Sequence, residues 1–368
     1  METDRRTFLT GATALTSSLF AGQVKGANDR VALAYIGVGR MGQDNLAISM
    51  RQENVVPVAV CDVYEPNLQK AVQISKGKAK AVRDFREILA DKSIDAVCIA
   101  APDHWHAYMT VEACKAGKDV YVEKPVCVAV EEGKKMVEAA RKYKRVVQAG
   151  TMQRSAEHFQ KACEIVRSGQ LGKVVFVRTW NYGHAASAGI GNPPDTDPPA
   201  DLDWNMWLGP APQRPFNKNR FGVDPNAYSH FRWFWDYAGG MMTDWGVHWL
   251  DIVQMAFGEE MPASITALGG KFWLQDNRDT PDTLQVTYRY PSGFIATYEN
   301  REANSESMFD KSGGILFCGT KGTMFLDRRG YKIVPETGYG KDKTPLMEGS
   351  EMKAVSSGNV NHWRNFLE

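Results

Sequence analysis

VALAYIGVGRMGQDNLAISMRQENVVPVAVCD, residues 31–62, carries the reading of the fold. It begins as a short apolar run, passes through a glycine-rich turn, continues as a helical stretch through about Met50 and ends in a second apolar run, NVVPVAVCD. That is strand, helix, strand. Moving outward, the alternation continues with a helical stretch after Pro66, the run IDAVCIAAP, a helix from about Trp105 to Ala116, the strand KDVYVEKP, a helix from about Val130 to Tyr143, and RVVQAG. Strands and helices at this spacing predict an α/β fold, a doubly wound parallel Rossmann sheet over residues 30–150.

After Gly150 the pattern changes. A helix from about Ala156 to Arg167 leads into the strand KVVFVRTW, and an irregular stretch rich in Pro, Asn, Asp and aromatic residues runs from Asn181 to Ala238. A stretch that long is functional or tied down by packing. GGMMTDWGVHWLDIVQMAF then reads as helix, and ASITALGGKFW, TLQVTYRY, GFIATYEN, GILFCGT and GTMFLD read as strands joined by short turns. The expectation for residues 151–368 is an α+β domain with a large, mostly antiparallel open sheet and helices on one face. The chain stops at NHWRNFLE in helical spacing without a stop signal, so a native C-terminal segment is expected to be missing.

At the other end, METDRRTFLTGATALTSSLFAGQVKGAND pairs Arg5 and Arg6 with an uncharged, mildly apolar stretch from Phe8 to Ala21. Residues 1–29 read as a twin-arginine export signal and linker, implying a periplasmic or otherwise exported protein handled by the twin-arginine machinery. No later stretch is apolar enough to span a membrane. With 44 Lys+Arg against 43 Asp+Glu over 368 residues, the net charge of +1 disfavours nucleic acid as a partner. Six cysteines and seven histidines show no metal-ligand spacing, so no metal site is expected.

The turn GVGRMG holds Gly37, Gly39, Arg40, Met41 and Gly42 between first strand and first helix. The first glycine makes the tight turn, the second lets backbone approach a pyrophosphate, and the third lets helix and strand pack closely. The helix N-terminus turns its unpaired N–H groups toward the phosphates. Asp62, 20 residues after Gly42, is placed to bond both hydroxyls of an adenine ribose. Its charge would repel a 2′-phosphate, which favours NAD over NADP, with Tyr64 nearby able to modify the choice.

Lys124 stands at the C-terminal end of a parallel strand, the edge where such sheets bind ligands. An amine there can donate to a substrate oxygen and exchange a proton with it. Asp244 and His248, four apart on a predicted helix, share one face; the histidine can take a hydroxyl proton and the carboxylate can hold a second hydroxyl. With GVGRMG at 37–42, APDHWHA at 101–107, VEKPV at 122–126 and GGMMTDWGVHWLD at 239–251, the chain from about Arg30 to Glu368 resembles the glucose-fructose oxidoreductase, inositol dehydrogenase and MocA (Gfo/Idh/MocA) oxidoreductases. The resemblance implies that Lys124 is catalytic, that Glu123 positions it, that Asp244 and His248 meet it over the nicotinamide, and that the protein is a homo-oligomer. Either Lys124 or His248 can carry the proton.

Softer candidates are Pro102, His104 and His106 beside the nicotinamide ribose, with His104 equally suited to capping a helix, and Gln153, Arg154, Asn181, Tyr182, His184 and Trp235 toward substrate. Of the six tryptophans between 204 and 249, one or two suit a sugar face and the rest suit pinning the long loop. The expected activity is NAD-dependent hydride transfer between a sugar, sugar derivative or polyol and a tightly bound, recycled nicotinamide. Its rivals are a redox-assisted glycoside-cleaving enzyme and a non-catalytic NAD-binding sensor.

Overall fold

The first apolar run forms β1 (Val31–Ile36), whose last four residues are buried, as befits a strand covered on both sheet faces. It is followed by α1 (Arg40–Ser49), β2 (Val55–Cys61), α2 (Glu65–Ile74), β3 (Lys80–Val82), α3 (Phe85–Ala90), β4 (Ala96–Ile99), α4 (Asp103–Lys115), β5 (Asp119–Val122), α5 (Val130–Tyr143) and β6 (Val147–Ala149). These strands pair in parallel in the order β3-β2-β1-β4-β5-β6. The order reverses between β1 and β4, opening a crevice at their C-terminal ends. The sequence reading passed over β3 and α3. With three residues, of which only Val82 is buried, β3 is too short to show a period; with it counted, VEKP follows the fifth strand.

This computed structural model describes residues 30–222, 229–258 and 261–368. The export signal expected at residues 1–29 lies outside them. Among the described residues, no helix is long and apolar enough to cross a membrane.

Beyond a 3-10 turn (Met152–Ser155) come α6 (Glu157–Arg167), β7 (Val174–Tyr182), α7 (Trp204–Leu208), α8 (Lys218–Phe221), a π turn (Met242–Gly246) and α9 (Val247–Ala256). The chain then forms β8 (Ser264–Gly270), β9 (Thr283–Tyr290), β10 (Phe294–Arg301), β11 (Gly313–Gly319), β12 (Gly322–Asp327), β13 (Gly330–Pro335), β14 (Ser350–Lys353) and α10 (Asn359–Leu367). The second sheet runs β14-β13-β12-β11-β7-β10-β9-β8 and is antiparallel except for the β7–β10 pair. Its inner face packs on α6 and α9 through Phe159, Trp249, Ile252, Tyr298 and Phe317. Arg178, Tyr182, Ile295 and Glu299 point the other way, following the alternation along β7 and β10.

The irregular stretch is held by packing. Trp204 and Trp207 stack 4.7 Å apart in a cluster with Phe216, Phe221, Tyr237 and Tyr64. Backbone bonds from Asp203 N to Val63 O (3.0 Å) and from Glu65 N to Asp201 O (3.1 Å) dock the stretch on the end of β2.

Helix α10 packs with residues 30–150 rather than with the second sheet: Trp363 and Phe366 join the core of the parallel sheet, and Trp363 lies flat on Tyr121, centroids 4.1 Å apart. Trp363, Phe366 and Leu367 form the apolar face of this helix.

Candidate active site

A cleft of about 1250 Å³, counting its open mouth, runs along the C-terminal edge of the parallel sheet. Gly37, Gly39, Arg40, Met41 and Asp62 line one end, and Glu123, Lys124, Arg232 and Asp244 line the other.

The first end suits a dinucleotide. Gly37 has φ +79°, and a Cβ there would lie 2.4 Å from Ala101 N; one on Gly42 would lie 2.0 Å from Gly37 O. Both positions exclude a side chain. Gly39 does not collide with the protein, since its Cβ would meet only Asn67 Nδ2 at 3.9 Å; its bare backbone keeps the cleft open beside the N-terminus of α1. Asp62 accepts from Val38 N (2.9 Å), Tyr64 N (3.0 Å) and Asn67 Nδ2 (3.3 Å). Burial pushes its carboxyl up to about 6 against these donors.

At the other end, Lys124 Nζ donates to Asp244 Oδ1 (2.6 Å) and Asp244 O (3.0 Å). Both oxygens come from the π turn, a single-turn irregularity at the head of α9. Arg232 Nε lies 3.4 Å from the second carboxylate oxygen of Asp244. Burial opposes ionisation of Asp244, but Arg232 and Lys124 together outweigh it and hold the carboxyl at about 2. His248, one turn on, is buried and is not among the residues lining the cleft; its Nδ1 has no protein hydrogen-bond partner among the described residues. Burial, followed by Lys124 and Arg328, pushes its imidazole well below the usual range against the pull of Asp244, so it is neutral near pH 7.

The match to known families is specific. Residues 31–151 match the profile of the Gfo/Idh/MocA oxidoreductase family's NAD-binding Rossmann fold, and residues 159–336 match that of its C-terminal alpha/beta domain. The uncharacterized oxidoreductase YrbE of Bacillus subtilis is 31% identical over 81% of this chain and 74% of its own. The chain belongs to the Gfo/Idh/MocA oxidoreductase family. Inositol 2-dehydrogenase of Salmonella typhimurium is 32% identical over 40% of this chain, a match that spans only 44% of that relative. Among solved structures, a levoglucosan dehydrogenase in complex with NADH and levoglucosan superposes with a TM-score of 0.66 at 17% identity, covering 92% of this chain and 88% of that one; this likeness speaks for the fold.

Within this family member the remaining candidates separate. Pro102 and His106 line the cleft, and the His106 ring bridges Pro125 O (2.6 Å) and Ala101 O (2.7 Å), tying the VEKP turn to the end of β4. His104 does not line it: its Nε2 meets Trp207 O at 3.1 Å, and burial pushes it down to about 4. It serves the docking of the long stretch. Gln153 donates to His248 O (3.0 Å) and accepts from Arg328 Nε (2.9 Å). Arg154 instead grips Asp251 in a separate crevice behind Lys124, with both carboxylate oxygens 2.9 Å from its Nε.

Tyr182 is on the outer face of the second sheet, where its hydroxyl donates to Glu299 (2.7 Å). Its neighbour Asn181 faces inward and accepts from Trp249 Nε1 (2.9 Å). His184 is exposed, Trp235 is 57% exposed, and neither lines the cleft. The sequence reading put both Asn181 and Tyr182 toward substrate; strand alternation turns Tyr182 outward and Asn181 into the core, and neither lines the cleft. It missed Arg232, which sits in the irregular stretch where no period marks a side. It also missed Asp103, a buried cleft carboxyl that burial pushes up to about 7 against Arg232 and Lys124.

Proposed function

We propose that this oxidoreductase transfers hydride between a carbinol carbon of a sugar, sugar derivative or polyol and NAD. The observation that carries the reading is the Lys124–Asp244 pair, 2.6 Å apart, at the end of the cleft away from the pyrophosphate turn. The nicotinamide, when bound, supplies the hydride acceptor or donor. Asp244, ionised and shared between two cations, accepts a substrate hydroxyl and orients the sugar. Lys124 donates to the oxygen at the reacting carbon and polarises it. In the oxidative direction the hydroxyl proton passes to Lys124 or to His248, which is neutral with its Nδ1 unengaged. The names of the inositol and levoglucosan dehydrogenases support a hydroxyl-rich substrate.

NAD rather than NADP follows from Asp62 in the adenosine end. Export through the twin-arginine pathway with the cofactor already bound, and assembly as a homo-oligomer, complete the proposal; the Arg5-Arg6 leader supports the first, and the apolar Ile295 on the outer sheet face supports the second.

The test is to purify the exported protein without added nucleotide, identify the dinucleotide released on denaturation, and follow NADH formation with inositols, aldoses, anhydrosugars and sugar acids. Near-stoichiometric NAD(H) in wild type and in Lys124→Ala, with substrate-dependent reduction in wild type that Lys124→Ala loses, is expected. Release of a chromogenic aglycone without net NADH would move the assignment to redox-assisted glycoside cleavage. Bound NAD with no turnover on any substrate, and no effect of Lys124→Ala, would leave a sensor.

A further inference from the structure

A buried polar chain connects the C-terminal helix to the cleft wall. The Trp363 indole N–H donates to Asn45 Oδ1 (3.2 Å), Asn45 Nδ2 donates to Glu123 Oε1 (2.8 Å), and Lys124 N donates to Glu123 Oε2 (3.2 Å). Trp363, Asn45 and Glu123 are 1%, 4% and 6% exposed. Three elements meet in this chain: α10, the helix that faces the pyrophosphate, and the end of β5.

The direction of the chain is set at its far end. An indole nitrogen is a donor only, whereas an amide has an accepting and a donating end. Trp363 therefore claims the Asn45 oxygen, and the amide NH₂ turns toward Glu123. Trp363 is itself locked by its stack on Tyr121, and Gly150 closes the pocket behind Glu123, since a Cβ there would lie 2.9 Å from the carboxylate. Burial raises the Glu123 carboxyl, while the Asn45 amide, the Lys124 charge and the Lys124 N–H oppose that rise. Of the other groups around it, Cys98 and Tyr121 feel its charge.

We propose that Asn45 and Trp363 are positioning residues that hold Glu123 as an oriented anion in the cleft wall, and that this anion favours the oxidised, cationic nicotinamide over the neutral reduced one. Glu123 lines the same cleft as Lys124 and the pyrophosphate turn. The adenosine and pyrophosphate contacts are common to NAD⁺ and NADH, so a charge in the wall acts on the ratio of their affinities. Helix α10 thereby tunes the redox preference of a site that it does not touch. The proposal rests on the NAD assignment alone, and the absence of any oxidisable substrate would leave it standing.

The experiment is titration calorimetry of NAD⁺ and NADH with nucleotide-stripped wild type, Glu123→Gln, Asn45→Leu, Trp363→Phe and the Trp363→Phe/Glu123→Gln double variant, with folding checked by thermal melts. Trp363→Phe keeps a ring on Tyr121 and removes only the N–H, so it carries the test should Asn45→Leu not fold. The ratio Kd(NAD⁺)/Kd(NADH) should rise about tenfold in Glu123→Gln and about threefold in Trp363→Phe. The double variant should match Glu123→Gln, because the indole acts only through the carboxylate. Equal weakening of both redox forms, an unchanged ratio in Trp363→Phe, or a full additional effect in the double variant would overturn the proposal. Binding of neither form by wild type would instead overturn the NAD assignment.

Discussion

Asp62, buried, and Asp244, half-buried, are carboxylates lining one cleft, yet they are held in opposite ways. Asp62 is met by neutral donors, two backbone N–H groups and an amide, and burial leaves its carboxyl raised to about 6. Asp244 is met by two cations, Lys124 and Arg232, and is held at about 2. The difference teaches that dipoles shape a carboxylate for hydroxyl recognition without committing its charge, whereas paired cations commit it fully. One end meets its carboxylate with dipoles and the other fixes its charge with cations.

The sharpest test of that division is Lys124→Ala. It should cut turnover by about a hundred- to ten-thousandfold while leaving NAD affinity within about twofold, read by single-turnover kinetics and calorimetry. A comparable loss of NAD affinity would show that the two ends are not separable. Asp62→Asn should do the reverse, weakening NAD by about tenfold and lowering the NAD-over-NADP preference, with turnover at saturating cofactor little changed.

The pH dependence of apo-protein stability should carry opposite signs for the two groups. Asp62 binds its proton more tightly folded than unfolded, so its ionisation costs stability: on the order of 3 kcal/mol is lost as pH rises from about 4 to 6. Asp244 binds its proton less tightly folded, so on the order of 2 kcal/mol is gained as pH rises from about 2 to 4, and is lost again on acidification. Denaturant melts of wild type against Asp62→Asn and Asp244→Asn, taken from pH 2 to 7, isolate each contribution. A common sign would break the comparison.

The smallest effect belongs to the contact that roofs both ends. The Trp105 indole N–H donates to Trp207 O at 2.8 Å, beside the His104 contact to the same carbonyl. Trp105→Phe should cost about 1 kcal/mol in stability and leave kcat within about twofold; a large loss of turnover would mean that the long stretch positions the reacting groups as well as covering them.

Legibility followed sequence distance. GVGRMG and Asp62 lie within one strand-helix-strand unit, so glycine chemistry and a 20-residue spacing place them together before any tertiary contact forms. VEKP was readable because a strand end is a fixed place on a parallel sheet. Asp244 and His248 stand four apart as read, but the turn at Asp244 is π rather than α, and only Asp244 lines the cleft. Tyr182 and Asn181 show the weak point: adjacent strand residues face opposite sides, and near a strand end nothing local says which side is inner. Arg154 and Trp235 have polar and aromatic chemistry suited to a sugar but are drawn elsewhere, one into an ion pair with Asp251 and the other into solvent.

What the sequence determined by itself is therefore the turn, the acid that closes the nucleotide site, the parallel sheet and the antiparallel one, because each rests on hydrogen bonds and periodicities within a few tens of residues. Only the tertiary structure decided that Arg232 and Lys124 share one carboxylate, that His104 secures a roof rather than a ribose, and that Trp363 governs Asn45 from the far end of the chain. Those pairings come from how the second sheet, the long stretch and the last helix pack against the first domain, and burial there chooses partners that no local period encodes.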